Sequence, residues 1–180
     1  VSPLTRLASM GRLDMVAAMV RRGARFDVCS STAHSTLHEI AAIDFDGLSD
    51  AVRKSIRIAK VAKNIKQEGL QEDIAARERV GAEVVSRLRS LMLDSVSDWN
   101  IQDDSGRTPM HYAAQTGAAD WLAFYLSAGA DPSVRDQKGR TPLANALVAS
   151  QSDVAGALME YLAQTGLRAG QDAVLLDVAK

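Results

Sequence analysis

The chain has 180 residues, 47% of them hydrophobic and 24% charged, a balance typical of a folded protein rather than a disordered tail. Its formal net charge of −1 provides no long-range field to recruit nucleic acid or an anionic membrane, and no apolar stretch reaches the ~18–20 residues that span a bilayer. Cys29 is the only cysteine, so an internal disulfide is excluded and an intracellular location, in the cytoplasm or nucleus, is expected.

Three short helices are predicted first: Pro3 to Ser9, Leu13 to Arg21, and Thr36 to Ile43. Proline at the first helical position has a preset φ and needs no partner for an N–H group. Gly23 is expected to follow the second helix in the left-handed conformation, which costs glycine little. Helical spacing in that second helix predicts one apolar face, formed by Met15, Val16, Met19 and Val20.

A long helical segment is predicted next. After a break at Asp44-Phe45-Asp46-Gly47, apolar stripes predict one helix from Ser49 to Gln67 and another from Leu70 to Asp94. A short turn at Glu68-Gly69 would fold these two helices into an antiparallel hairpin. Residues 44–83 are therefore predicted to be a helical insertion. The second arm is expected to pack inward through Leu88, Met92 and Leu93.

The chain repeats one sequence frame at a fixed step, which matches the repeat length of about 33 residues known for one class of stacked helical arrays. Thr108-Pro109-Met110-His111 recurs one step later as Thr141-Pro142-Leu143, and Ser2-Pro3-Leu4 recurs by the same step as Ser35-Thr36-Leu37-His38. In such arrays, neighbouring repeats cover each other's apolar faces. The fullest copy runs from Asp104 to Gly117 and closes with Leu126, Gly129, Ala130 and Asp131. This frame resembles that of the ankyrin-repeat family.

The resemblance implies an all-α fold: an ankyrin-repeat solenoid of about four to five repeats, with a long helical-hairpin insertion in the second repeat. Residues 1–180 would form one ankyrin-repeat domain, a segment of a longer protein, and residues 173–180 fit the start of another repeat. The fourth repeat departs from the frame. Ser150 stands where glycine is expected, and the sequence after Leu158 predicts a longer outer helix and a shortened finger, the turn that projects between repeats.

The histidines are expected to be structural. His38 and His111 occupy the family's Thr-Pro-Leu-His position, where the imidazole is expected to bridge backbone and hydroxyl groups between repeats rather than act in catalysis. The spacing of Cys29, His34 and His38 would also fit half of a zinc site, but the motif already uses His38, so no metal is expected. The sequence has no Gly-x-Ser-x-Gly elbow and no phosphate-binding glycine loop. We therefore expect no catalytic residue, no cofactor and no small-molecule substrate.

Two surface features have open interpretations. The first predicted arm carries a basic stripe, which is either a contact for an acidic partner or a solvated face; it lacks the interleaved aromatics that nucleic-acid stacking needs. Phe124 falls where the family usually exposes its outer helix, so it either contacts the hairpin or fourth repeat or marks a partner site, and Trp99 at a finger tip has similar alternatives. The basic residues are Arg53, Lys54, Arg57, Lys60, Lys63 and Lys66.

The resemblance implies recognition of a protein partner, or of another domain of the parent protein, across the finger tips and the concave inner-helix surface. Binding through the inserted hairpin is a second possibility. The alternative is a regulatory or assembly domain of a larger enzyme, channel or transcription factor. Carried over position by position, the candidate partner-binding residues are Asp104, Ser105 and Arg107 in one finger, Gln137, Lys138 and Arg140 in the next, and Tyr112, Gln115, Thr116 and Asn145 on the inner helices.

Overall fold

The computed structural model describes residues 2–26, 34–42 and 68–165. These parts of the chain contain eight helices and no strand, which fits the predicted all-α class. The helices are α1 (Pro3–Ser9), α2 (Leu13–Arg21), α3 (Thr36–Ala41), α4 (Glu68–Ser95), α5 (Pro109–Thr116), α6 (Ala119–Ser127), α7 (Pro142–Val148) and α8 (Ser152–Thr165).

The helices pack as a row of pairs. The inner helices contact one another in order, α1 with α3, α3 with α5, and α5 with α7, while the outer helices α2 and α4, and α6 and α8, also pack together. We call each inner helix with the outer helix that follows it a layer, so that α1 and α2 form the first layer and α7 and α8 the fourth. Each layer covers an apolar face of the next, as expected for stacked helical repeats.

Each inner helix begins at an equivalent residue. Ser2, Ser35, Thr108 and Thr141 are the N-cap residues of α1, α3, α5 and α7. Each sits in an extended conformation. The hydroxyls of Ser2 and Thr141 accept a hydrogen bond from the backbone N–H three residues on, and Ser35 and Thr108 form capping boxes with His38 and His111. The prediction that Thr108 and Thr141 occupy equivalent places in successive layers is therefore confirmed.

The core runs through all four layers and combines small with large side chains. Ala113 and Ala114 on α5 are fully buried, and because they are small they let neighbouring inner helices approach closely. Trp121 and Tyr125 on α6 are also fully buried and fill the space between inner and outer helices. The Tyr125 hydroxyl donates to the carbonyl oxygen of Leu37, 3.1 Å away on α3, and so links the third layer to the second.

The first layer departs from its predicted burial at one residue. The helix bounds Pro3–Ser9 and Leu13–Arg21 agree with the prediction, and Gly23 has a φ of 93°. Met15, however, is 41% exposed, whereas Val16, Ala17 and Val20 are buried. The inward face of α2 is therefore rotated toward Ala17, and the predicted inclusion of Met15 is wrong.

Helix α4 begins earlier than predicted. It includes both Glu68 and Gly69, so the predicted hairpin turn at these two residues is wrong. The break at residues 44–47 and the first arm at residues 49–67, with its basic stripe, lie outside the described residues.

The carboxyl-terminal half of α4 serves as the outer helix of the second layer. Leu88 and Met92 are fully buried, as predicted, and Val84 and Leu91 pack partly against the same core. Leu93 is 55% exposed, which contradicts the predicted inward role. It follows Met92 by one residue, about 100° around a helix, and so turns away from the buried face.

The fourth layer shows the predicted departures. Ser150 adopts a φ of 58° and is the one residue other than glycine with positive φ in the described parts of the chain. It replaces a glycine but keeps the glycine conformation, because the turn between α7 and α8 requires it. Helix α8 has 14 residues against nine in α6, which confirms the longer outer helix. The shortened finger and residues 173–180 lie outside the described residues.

Candidate functional site

Two tight turns project beside the inner helices, and we call them the first finger (Asp103–Arg107) and the second finger (Asp136–Arg140). In the first, Oδ1 of Asp103 accepts hydrogen bonds of 2.9 Å from the N–H groups of both Ser105 and Arg107. Asp136 makes the same pair of bonds in the second finger. The shape of each finger is thus set by one buried carboxylate that occupies the same place in both.

The finger carboxylates are held in their ionised form. Burial alone would raise the pKa of Asp103, but the hydrogen bonds from Tyr112, Arg107 and Ser105 and the charge of Arg107 together lower it. Burial likewise opposes ionisation of Asp136, and the bonds from the Arg140 backbone and guanidinium lower its pKa. That guanidinium lies 2.8 Å from Oδ2 of Asp136.

The two fingers are bonded to each other. The backbone N–H of Gln137 donates to the carbonyl oxygen of Ser105 at 2.9 Å, and its side-chain amide donates to the carbonyl oxygen of Asp104 at 2.7 Å. Gly106 makes this approach possible, because a Cβ atom there would lie 2.9 Å from the backbone nitrogen of Gln137. The fingers therefore form one rigid edge rather than two separate loops.

The two motif histidines fasten each finger to the layer before it. The Nε2 atom of His38 lies 2.9 Å from the carbonyl oxygen of Arg107, and Nε2 of His111 lies 3.0 Å from that of Arg140. A carbonyl only accepts, so Nε2 must carry the proton, which leaves Nδ1 to accept from the N-cap N–H at 3.1 Å. The predicted bridging role is confirmed for His38 and His111.

The hydrogen bonds of His38 decide whether its ring can take part in the zinc half-site suggested by the spacing of Cys29, His34 and His38. Both ring nitrogens of His38 are engaged, one with Ser35 and one with Arg107, so neither is free to bind a metal. Burial also lowers the pKa of His38 to about 4, which keeps the ring neutral. Cys29 lies outside the described residues. Within those that are described, no group of three or more His, Cys, Asp or Glu side chains is arranged to hold a metal ion.

Tyr112 is the centre of a polar and aromatic cluster between the second and third layers. Its hydroxyl donates a 2.6 Å hydrogen bond to Oδ2 of Asp103, and the Arg107 guanidinium stacks 4.4 Å from the centre of its ring. The rings of His34 and His38 meet the Tyr112 ring edge to face at 5.3 and 5.5 Å. Burial, together with Asp103, raises the pKa of Tyr112, so the hydroxyl stays protonated and remains a donor.

The sequence that forms these capped inner helices and paired fingers matches a known protein family. A family model described as ankyrin repeats, in three copies, matches residues 74–169, which is more than half of the chain. The chain belongs to the ankyrin-repeat family. A search of curated proteins gives no match to it. Among the described residues of this ankyrin chain, no helix is both long and apolar enough to cross a membrane.

The predicted site residues of this ankyrin chain differ in how far they are exposed. The exposed ones are Asp104, Ser105, Gln115, Gln137 and Lys138; the half-exposed ones are Arg107, Tyr112, Thr116 and Arg140. The half-exposed residues also have structural partners. Thr116, for example, bonds the carbonyl oxygen of Tyr112 at 3.0 Å, and Arg140 pairs with Asp136.

Asn145 differs from the other candidates because it is only 3% exposed. The prediction that it belongs to an exposed surface is therefore wrong for the chain as it stands. Asn145 lies one repeat step after Tyr112 and occupies the same frame position. The longer tyrosine reaches the finger carboxylate, while the short asparagine remains beneath the surface.

Three residues that the sequence analysis did not single out also add exposed apolar surface to the ankyrin stack or hold it together. Val148 is 53% exposed and occupies the frame position that Gln115 has in the third layer. Met10 is 66% exposed and occupies the frame position of Thr116. Counting along the repeat frame would have found them. Arg89, the third, lies one repeat step before Leu122 and places a charge at a frame position that is otherwise apolar.

Arg89 joins α4 to the third layer. Its guanidinium donates to the carbonyl oxygen of Asp120 at 3.1 Å and lies 5.1 Å from the centre of the Trp121 ring. It also lies 5.5 Å from the ring of Phe124, which is only 8% exposed. Phe124 therefore contacts the second predicted hairpin arm, and the alternative of an exposed partner site is wrong. Trp99 is partly exposed and packs edge-on against Phe124 at 5.6 Å.

Proposed function

We propose that this chain is a protein-interaction module that binds a partner protein across its fingers and concave inner-helix surface, without catalysis of its own. Ankyrin repeats generally serve as protein-interaction modules, and the chain belongs to that family. The observation that carries the proposal is the bond between fingers, the Gln137 N–H to the Ser105 carbonyl oxygen. It presents exposed side chains of two layers on one preformed edge, so little ordering cost opposes binding.

The exposed residues of this edge suit a protein partner. They combine an acid, a base and uncharged polar groups in Asp104, Lys138 and Gln115, with the apolar Val148 beside them. Such a mixture resembles the rim and centre of ordinary protein interfaces. It lacks the one-signed charge that a phosphate backbone requires, so nucleic acid is not the proposed ligand, nor is a small molecule. An intracellular location, in cytoplasm or nucleus, belongs to the same proposal.

We also propose that the array has four to five repeats and that residues 44–83 form a helical insertion with a docking role of its own. Helix α4 supports this, because it has 28 residues against nine in α2 and α6. At 1.5 Å per residue it is about 42 Å long, and the other two are about 14 Å. In a larger enzyme, channel or transcription factor, the same surfaces would serve regulation or assembly.

The concave site is tested by affinity capture from the native source with this chain as bait. Gln115→Arg and Lys138→Glu alter exposed side chains that make no packing contact in the core, so folding should not change. Gln164→Arg makes the same change as the first on α8, an outer helix, and serves as the matched control. We expect captured proteins to be lost with the two site variants and retained with the control.

A shortened bait separates the two surfaces. Joining Ile43 to Val84 removes the proposed insertion but keeps Leu88 and Met92, which complete the core of the second layer. If capture survives this deletion and is abolished by Gln115→Arg, the concave site alone is responsible. Capture that ignores both site variants but needs the deleted segment would contradict the concave site and favour the hairpin.

A further inference from the structure

The outer helices carry a row of uncovered apolar side chains, which we call the outer row: Leu93 on α4, Leu126 on α6 and Met159 on α8. These residues follow one another at the repeat step, so they hold the same place in the second, third and fourth layers. Leu93 and Met159 are 55% and 50% exposed, and Leu126 is partly exposed. Single exposed apolar residues are ordinary, but a row that recurs in three adjacent layers is a candidate binding surface.

The three helices that carry the outer row are neighbours. Arg89 joins α4 to α6 through the carbonyl oxygen of Asp120, and α6 packs against α8. Packed helices lie about 8–10 Å apart, so the row extends for about 16–20 Å. The residues one helical turn before it are small and exposed, namely Ser90, Ala123 and Gly156. An α-helix can therefore lie beside the row and contact all three layers.

Acidic side chains accompany the row on the same exposed helix faces. Among the described residues none of these carboxylates forms an ion pair, and α6 and α8 contain no basic residue. Arg87, an exposed base on α4, is already paired with Glu83. The surface thus combines apolar and negative groups, which suits a helix with one apolar and one basic face. The four acids are Asp94, Asp120, Asp153 and Glu160.

The chain itself contains a segment of that kind. Residues 49–67 lie outside the described residues, and their sequence predicts a helix with an apolar stripe. The segment carries six basic residues and a single acidic one, Asp50. Its charge and its apolar stripe complement an apolar row accompanied by carboxylates.

The segment cannot cover the outer row of its own copy. Residue 67 is bonded to Glu68, the first residue of α4, and Leu93 lies about 38 Å further along this helix at 1.5 Å per residue. A helix over residues 49–67 is only about 28 Å long, so even folded back along α4 it ends about 10 Å short of Leu93. The sequence placed the turn for such folding at Glu68 and Gly69, and both residues are helical.

We propose that the outer row binds residues 49–67 of a second copy of this chain, so that two copies associate by exchanging this segment. The apolar stripe of the segment packs on the row, and its basic side chains pair with the four carboxylates. Each copy has one segment and one row, so reciprocal exchange gives a closed dimer in which both rows are covered. The inference rests on the docking role proposed for residues 44–83 and names the surface that they bind; it does not involve the fingers.

The test is sedimentation equilibrium of the full 180-residue chain. The wild type should dimerise, and added salt should weaken the dimer. Leu93→Asp and Met159→Asp each place a charge in the row and should weaken dimerisation about tenfold or more, with the unfolding temperature of the monomer unchanged because both side chains are exposed. Val148→Asp makes the same kind of change at a 53% exposed apolar residue of an inner helix, and as the matched control it should remain dimeric.

Complementation between two variants shows whether the segment reaches the row of another copy. One variant carries Asp94→Lys and Glu160→Lys, and the other carries Arg57→Glu and Lys60→Glu. Each alone should dimerise about tenfold or more weakly, because its segment meets a row of reduced charge complementarity. Their equimolar mixture should recover dimers, since the unchanged segment of one variant then meets the unchanged row of the other.

The outcomes separate this inference from the concave site. A wild type that stays monomeric, or a mixture without recovery, would overturn segment exchange and leave capture through Gln115 and Lys138 untouched. A monomeric wild type whose captured partner is lost with Leu93→Asp would also overturn it, and would assign the row to a helix of another protein. Dimers that persist while Gln115→Arg leaves capture unchanged would support the exchange and contradict the concave site.

Discussion

The Nε2 atom of His111 donates a 3.0 Å hydrogen bond to the carbonyl oxygen of Arg140, 29 residues further along the chain. The same ring accepts from the N–H of Thr108 at 3.1 Å. One side chain therefore holds the start of its own inner helix and the finger of the next layer. His38 repeats the arrangement with Arg107 at 2.9 Å, so the stack is fastened at successive junctions by equivalent bonds.

Replacing His111 by alanine is expected to destabilise the chain by about 2–4 kcal/mol, because the Arg140 carbonyl oxygen and the Thr108 N–H lose their partner in a buried place. Urea unfolding followed by circular dichroism measures the change. His34→Ala is the control, since His34 is partly exposed and pairs with Glu39 at 3.2 Å, and should cost less than about 1 kcal/mol. Equal losses in the two variants would contradict the fastening role of His111.

Stability should fall with acid in a defined window. Burial lowers the pKa of His38 from 6.5 to about 4, and burial lowers that of His111 as well. Below pH 6.5 these histidines take up protons in the unfolded chain, whereas the buried rings of the folded chain stay neutral. The contribution of the two rings to the free energy of unfolding is therefore complete above pH 6.5 and is lost as the pH falls toward 4. Each histidine contributes a slope of up to about 1.4 kcal/mol per pH unit.

Urea unfolding at a series of pH values tests this slope. The pKa values of Asp103 and Asp136 are lowered from 3.8, so their contribution is lost only at still lower pH and does not mask that of the histidines. A free energy of unfolding that stays constant between about pH 7 and about pH 5 would show that these rings are not held neutral by burial.

Gly106→Ala and Gly139→Ala should differ, although both glycines have left-handed backbones with φ of 73° and 75°. A Cβ at Gly106 would lie 2.9 Å from the backbone nitrogen of Gln137, whereas a Cβ at Gly139 meets no described heavy atom within 4 Å. Both variants should lose about 1 kcal/mol from backbone strain. Gly106→Ala should lose about 1–2 kcal/mol more, because the bond between the fingers must stretch.

Thermal and urea unfolding give the difference between these two variants. Hydrogen exchange at the Gln137 amide gives a local check, since its bond to Ser105 should open faster in Gly106→Ala alone. Identical behaviour of the two variants would mean that the fingers do not depend on close approach at Gly106.

Arg89→Ala should destabilise the chain by about 1–3 kcal/mol, because it removes the bond to Asp120 and the contacts with the Trp121 and Phe124 rings. Arg87→Ala, two residues earlier on the same helix, removes only an exposed pair with Glu83 and should cost less than about 0.5 kcal/mol. Urea unfolding compares the two. If Arg87→Ala proves as damaging as Arg89→Ala, general helix propensity rather than the aromatic contact explains the loss.

Much of the local structure was predictable because its causes lie within a few residues of sequence. The Ser2 cap and Pro3 set the start of α1, and the glycine turns at Gly11 and Gly23 lie on either side of α2. The histidine bridges followed from the same frame. Ser150 is a clear case. The frame demanded a left-handed residue there, and serine adopts that conformation because the turn between helices leaves it no other.

The candidate site was predictable only in outline. The repeat frame selected finger residues and inner-helix residues together, but it could not tell Lys138, which is exposed, from Asn145, which is buried. Nor could it show that Arg107 and Tyr112 share the carboxylate of Asp103. These outcomes depend on the length of each side chain relative to its neighbours in the next layer.

The sequence by itself determined the period, the caps and the family, because these arise from backbone conformations that nearby residues set. The tertiary structure alone decided which faces were covered: Met15 and Leu93 were left exposed, and Phe124 was buried against Arg89. The physical reason is that a side chain becomes buried only when a second surface packs against it. The apolar stripe of a helix shows in the sequence which residues favour burial, but the residues that cover it come from a distant segment of the chain.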